Sequence, residues 1–102
     1  MANLVKVADK GSLLPGKGMA AEVNGLRIAI FNVDNQYYAI DDACSHAGGS
    51  LSEGNLDGAK VMCPWHGAEF DVKTGEALSP PAFDGIKTYP VKVEGQDIKI
   101  EI

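Results

Sequence analysis

An all-β fold, a small antiparallel sandwich or barrel, is predicted by three features of the chain. Apolar residues alternate with polar ones at a period of two in the first 41 and last 20 residues. Turn dipeptides interrupt those runs at short intervals. No segment carries an apolar stripe at helical spacing, and 12 glycines and 5 prolines in 102 residues suit turns better than a helical bundle.

The elements follow in order. Leu4-Val5-Lys6-Val7 reads as an opening strand. Asn24-Gly25 is the dipeptide of a tight hairpin, because both residues tolerate positive φ. The strand after it, Leu26 to Phe31, places Leu26, Ile28 and Ile30 on one face. Asp34-Asn35 then turns the chain into Gln36-Tyr37-Tyr38-Ala39-Ile40. Near the C-terminus Tyr89, Val91 and Val93 share a face, and beyond Glu94-Gly95-Gln96 so do Ile98, Ile100 and Ile102. These runs are expected to form antiparallel hairpins with one buried face each. From about Asp42 to Pro81 the chain is instead rich in Gly, Ser and Pro, and is expected to need something other than a hydrophobic core to hold it.

Composition narrows the function. The length suits one domain, and 45% apolar with 23% charged residues is a globular balance. A formal charge of −5 repels phosphate backbones, so nucleic acid is not an expected partner, whereas a basic protein patch would be attracted. Met1 to Lys6 has no basic segment leading into a long apolar stretch, and no apolar run approaches a membrane span. The expectation is a cytoplasmic protein with no membrane association. In that compartment cysteines serve metals or catalysis more often than disulfides.

Every cysteine and histidine of the chain falls in two compact pairs, Cys44-Ser45-His46 and Cys63-Pro64-Trp65-His66, separated by 16 residues. Thiolate and imidazole are ligands for soft and borderline metals. Four such donors suit one tetrahedral zinc, or a 2Fe-2S cluster with two cysteines on one iron and two histidines on the other. A disulfide between the cysteines would leave the histidines unexplained. Each pair mixes one Cys with one His, which a two-iron site needs if each loop supplies a ligand to each iron.

Cys44-x-His46 and Cys63-x-x-His66, followed by Gly67, resemble the signature of Rieske-type iron–sulfur proteins. The likeness extends over Cys44 to Gly54, over Cys63 to Asp71, and over Thr74-Gly75-Glu76. Ser79-Pro80-Pro81-Ala82 falls where the family has a proline loop over the cluster. In length the chain is similar to the ferredoxins of bacterial aromatic-ring dioxygenase systems. The resemblance implies a single Rieske domain over 1–102, with a cluster-binding subdomain at about 42–82 inserted in a β base of about 1–41 and 83–102. It implies one 2Fe-2S cluster per chain on Cys44, His46, Cys63 and His66, with the histidines bound through Nδ1 at a solvent-facing tip. The implied function is one-electron transfer from a flavin-dependent reductase to a terminal oxygenase by a monomer that is not itself an enzyme. The alternatives are a small subunit of a nitrite reductase, or a zinc-stabilised interaction module.

Departures from the respiratory members of that family carry information. Their extra disulfide cysteines correspond to Gly49 and Trp65, and the hydroxyls they aim at the cluster sulfurs correspond to Ala68 and Phe70. Without those donors the extra electron is less stabilised, so a potential near or below roughly −150 mV is expected. Trp65 is either a cover for the cluster or a contact for a partner. Tyr37, Tyr38 and Tyr89 read as sheet residues. Asp41, Asp42, Glu53, Asp57 and Glu69 read as solvated surface, with those near the ligand loops able to steer a basic partner.

Overall fold

The computed structural model describes residues 4–42, 50–63, 69–78 and 85–101. Among the described residues ten strands run in the order β1 Leu4–Asp9, β2 Gly18–Val23, β3 Leu26–Val33, β4 Gln36–Asp41, β5 Asn55–Asp57, β6 Lys60–Met62, β7 Glu69–Asp71, β8 Thr88–Tyr89, β9 Val91–Glu94 and β10 Asp97–Glu101. Two 3-10 turns, Lys10–Ser12 and Leu51–Glu53, complete the described residues, which include no α-helix and none long and apolar enough to cross a membrane.

The strands form three antiparallel sheets: β1-β10-β9, β2-β3-β4-β8 and β5-β6-β7. The turn residues act as their chemistry requires. Asn24 and Gly25 at φ 51° and 80° join β2 to β3, and Asp34 and Asn35 at 51° and 68° join β3 to β4. Both dipeptides hold the double positive φ that matches the twist of the flanking strands.

The four-stranded sheet is covered on both faces. Ile28 and Ile30 of β3 and Ala39 of β4 pack with Leu13, Val23, Tyr89, Ile98 and Ile100. Ala29, Phe31 and Ile40 point the other way and pack with Leu51, Val61, Cys63, Phe70, Val72 and Ile86. The expectation of one buried face per hairpin is therefore corrected for β3 and β4. Leu26, placed on the buried face by alternation, is 43% exposed at the strand's end.

Two further corrections concern the chain after Asp42. Residues 50–63 and 69–78 contain three strands and supply five of the nine buried residues of a hydrophobic cluster shared with β3 and β4, so this part does have a hydrophobic core to hold it. The run from Tyr89 to Val93 is not one strand. Pro90 has no N–H for a ladder, and the chain changes sheet there: Tyr89 pairs with Ala39, whereas Val91 pairs with Ile100. Val93 is consequently 39% exposed. Ile102 lies outside the described residues.

Candidate metal centre

Of the four candidate ligands, Cys63 is described; Cys44, His46 and His66 lie outside the described residues, as do Trp65, Pro80, Pro81, Gly49 and Ala68. Cys63 follows β6 directly and is 1% exposed, seated among Leu51, Val61 and Phe70. Strand pairing puts it there. Val61 opposes Phe70 with both side chains inward, so Cys63, two residues on from Val61, takes the same inward direction.

The described residues that bound the segments with the candidate ligands are neighbours. Leu51 N–H donates to the Asp42 carbonyl at 2.7 Å, joining the two sides of segment 43–49. Met62 opposes Glu69, joining the two sides of segment 64–68. Leu78 N–H donates to the Glu69 carbonyl at 2.8 Å, bringing the start of segment 79–84 to the same place. Leu51 and Cys63 belong to one cluster. Gly54 lies against the Met62 carbonyl so closely that a Cβ there would overlap its oxygen. Both mixed Cys/His pairs thus start from one braced region, as a shared centre requires.

The electrostatics of that region corrects one expectation. Asp42 is not solvated surface but 1% exposed. Its carboxylate accepts Arg27 Nε–H at 2.6 Å and Ser52 N–H at 2.8 Å. Burial pushes this carboxyl up, but hydrogen bonds from Ser52, Arg27 and Ser50 outweigh that and hold it below its ordinary value. Next to it, Asp41 accepts the Tyr89 hydroxyl at 2.6 Å, tying β4 to β8. Burial, then this bond to a carboxylate, push the Tyr89 phenol up to about 12. Glu69 pairs with Lys60 across the β6–β7 ladder at 3.1 Å. Sequence reasoning missed Asp42, because its partners Arg27 and Ser52 stand 15 and 10 residues away.

The donor set fits a 2Fe-2S cluster. Cys63 is buried in apolar surroundings, where a thiolate needs a nearby positive centre, and each pair holds one sulfur and one nitrogen donor.

Residues 3–90 match the Rieske 2Fe-2S domain family. The 3-phenylpropionate/cinnamic acid dioxygenase ferredoxin subunit of Shigella boydii serotype 4 (strain Sb227) is 57% identical over 76 residues, which is 74% of this chain and 72% of the relative. The ferredoxin of carbazole 1,9a-dioxygenase from Nocardioides aromaticivorans IC177 superposes with a TM-score of 0.93 at 32% identity, over 96% of each chain. A structure of reduced oxygenase with oxidized ferredoxin of carbazole 1,9a-dioxygenase matches with a TM-score of 0.90 at 34% identity, over 95% of this chain and 91% of that one. A nitrite reductase small subunit shares the fold at a lower identity, 26%. The chain belongs to the Rieske 2Fe-2S domain family.

Proposed function

We propose that this protein is a one-electron carrier of an aromatic-ring dioxygenase system, with one 2Fe-2S cluster held by Cys44, His46, Cys63 and His66. It takes electrons from a flavin-dependent reductase and delivers them to a terminal oxygenase, and it acts as a cytoplasmic monomer with no catalytic residues of its own. The domain plan is the one expected from sequence, a single domain over 1–102 with the cluster-binding part at about 42–82. The observation that carries the reading is the four-donor pattern inside the residues matched by the family. The likeness to ferredoxin subunits favours a carrier over a nitrite reductase subunit.

A 2Fe-2S cluster supplies reversible uptake of one electron near the protein surface. The chain's own residues have simpler tasks. Cys63 presents its sulfur from the buried end of β6, and the apolar side chains around it exclude water from that side. Strands β6 and β7 hold the two sides of the second ligand segment in register. Asp42, Leu51 and Ser52 hold the two sides of the first.

Analysis of the purified protein for iron and acid-labile sulfide, with EPR after reduction, tests the assignment. Two irons and two sulfides per chain with a rhombic signal are expected. One zinc and no sulfide would overturn it. Reduction by a flavin-dependent reductase, followed by single-turnover oxidation with the terminal oxygenase, tests the direction of flow.

A further inference from the structure

Asp42 makes more connections than a strand-end residue needs. Its N–H donates to the Arg27 carbonyl at 3.0 Å, and its carbonyl accepts Leu51 N–H at 2.7 Å. Its two carboxylate oxygens are divided between Arg27 Nε–H at 2.6 Å and Ser52 N–H at 2.8 Å. The residue is almost wholly buried, whereas the Arg27 side chain is 53% exposed. A carboxylate is placed in such a position at a desolvation cost, which several well-aimed donors must offset. Those donors are Arg27 of β3 on one side and Ser52 and Ser50 on the other.

We infer that Asp42 is a positioning residue for the first ligand segment: it fastens the end of β4 to residues 51–52 and to Arg27, and so fixes the span that carries Cys44 and His46. This rests on the proposed function, in which Cys44 and His46 are ligands. Cys44 is two residues beyond Asp42 in the chain, so slack at Asp42 passes to the ligand over two peptide units. The carboxylate does the fastening through its acceptor geometry. Asparagine keeps one carbonyl oxygen for Ser52 N–H and keeps both main-chain bonds, while alanine keeps only the latter.

The test uses the cluster-loaded protein, with Asp42→Ala, Asp42→Asn and a distant core control, Ile100→Val. Reduced-state EPR reads ligand geometry, and hydrogen exchange reads opening of residues 50–53. Asp42→Ala should shift the g-values and speed exchange over 50–53 by about tenfold or more, the effect of an unsatisfied buried donor. Asp42→Asn should restore the wild-type g-values and most of the protection. Ile100→Val should lower the melting temperature and leave the g-values alone. Wild-type g-values and exchange in Asp42→Ala, or an asparagine variant no better than alanine, would overturn the inference. Should Asp42→Ala fail to fold, Arg27→Gln takes its place: the clamp requires exchange over 50–53 faster than in the wild type, and wild-type exchange there would overturn it. If the wild-type protein holds no 2Fe-2S cluster, the proposed function fails by itself, and exchange over 50–53 still decides whether Asp42 is the clamp.

Discussion

Asn32 is a polar side chain one residue before the end of β3, yet only 1% exposed. Its amide donates to the Leu13 carbonyl at 2.8 Å, and its side-chain oxygen accepts Asn35 N–H at 2.8 Å. One residue thereby holds the segment after β1 and the β3–β4 turn. Asn32→Ala leaves both partners unpaired, and a loss of about 2 kcal/mol is expected in urea denaturation. Tyr89 gives a pH dependence. Its pKa rises from 10.0 to about 12 on folding, so the stabilisation is complete below pH 10 and is lost as the pH climbs to about 12. That contribution is at most about 3 kcal/mol. Melting curves between pH 9 and 12 should therefore fall more steeply for the wild type than for Tyr89→Phe. Parallel slopes would remove Tyr89 from the account. The candidate metal donors stand out at this scale because Cys and His are scarce and fall in two tight pairs. Asp42 does not, since an aspartate before a Gly- and Ser-rich stretch reads as surface until folding brings Arg27 and Ser52 to it.

Strand β3 is the central element. Its odd and even residues serve different clusters, and Phe31 shares with Phe70 the largest fully buried side chain among the described residues. Phe31→Ala should cost about 3–5 kcal/mol, because neither flanking sheet can collapse into the space. An unfolding free energy from chemical denaturation that changed by less than a third of that would show the β5–β7 side to be loosely packed. Gly54→Ala is the complementary case. Its added methyl meets the Met62 carbonyl, and a loss of about 1–3 kcal/mol is expected, with faster loss of cluster absorbance as the readout. Strands β1, β3, β4 and β10 were legible in the sequence because alternation and turn dipeptides agree there. Strands β5, β6 and β7 were not, for each has three residues, too few to show a period, between glycines and prolines. That omission also hid the second covered face of β3, although Ala29 and Phe31 are apolar.

The molecule as a whole separates framework from cofactor. Cys63→Ser should abolish cluster assembly. The β5-β6-β7 sheet should survive it, since Val61, Phe70, Val72 and Leu51 pack against β3 and β4 without the thiolate. Far-ultraviolet circular dichroism should keep its strand signal while visible absorbance vanishes; collapse of both would return the central segment to dependence on the metal. Net charge acts at the same scale. At −5 the protein should meet a basic partner faster in low salt, and stopped-flow electron-transfer rates should fall as ionic strength rises. Rates indifferent to salt would remove charge steering.

Strand β1 lies beside β10 with Leu4 opposite Glu101. Entry and exit of the described chain therefore meet at one spot. A short bridge there, with new ends opened at the Asn24-Gly25 hairpin, should give a circularly permuted protein that folds and binds its cofactor. For the same reason the unit is suited to being spliced into a longer polypeptide as a cassette, with both seams at one corner.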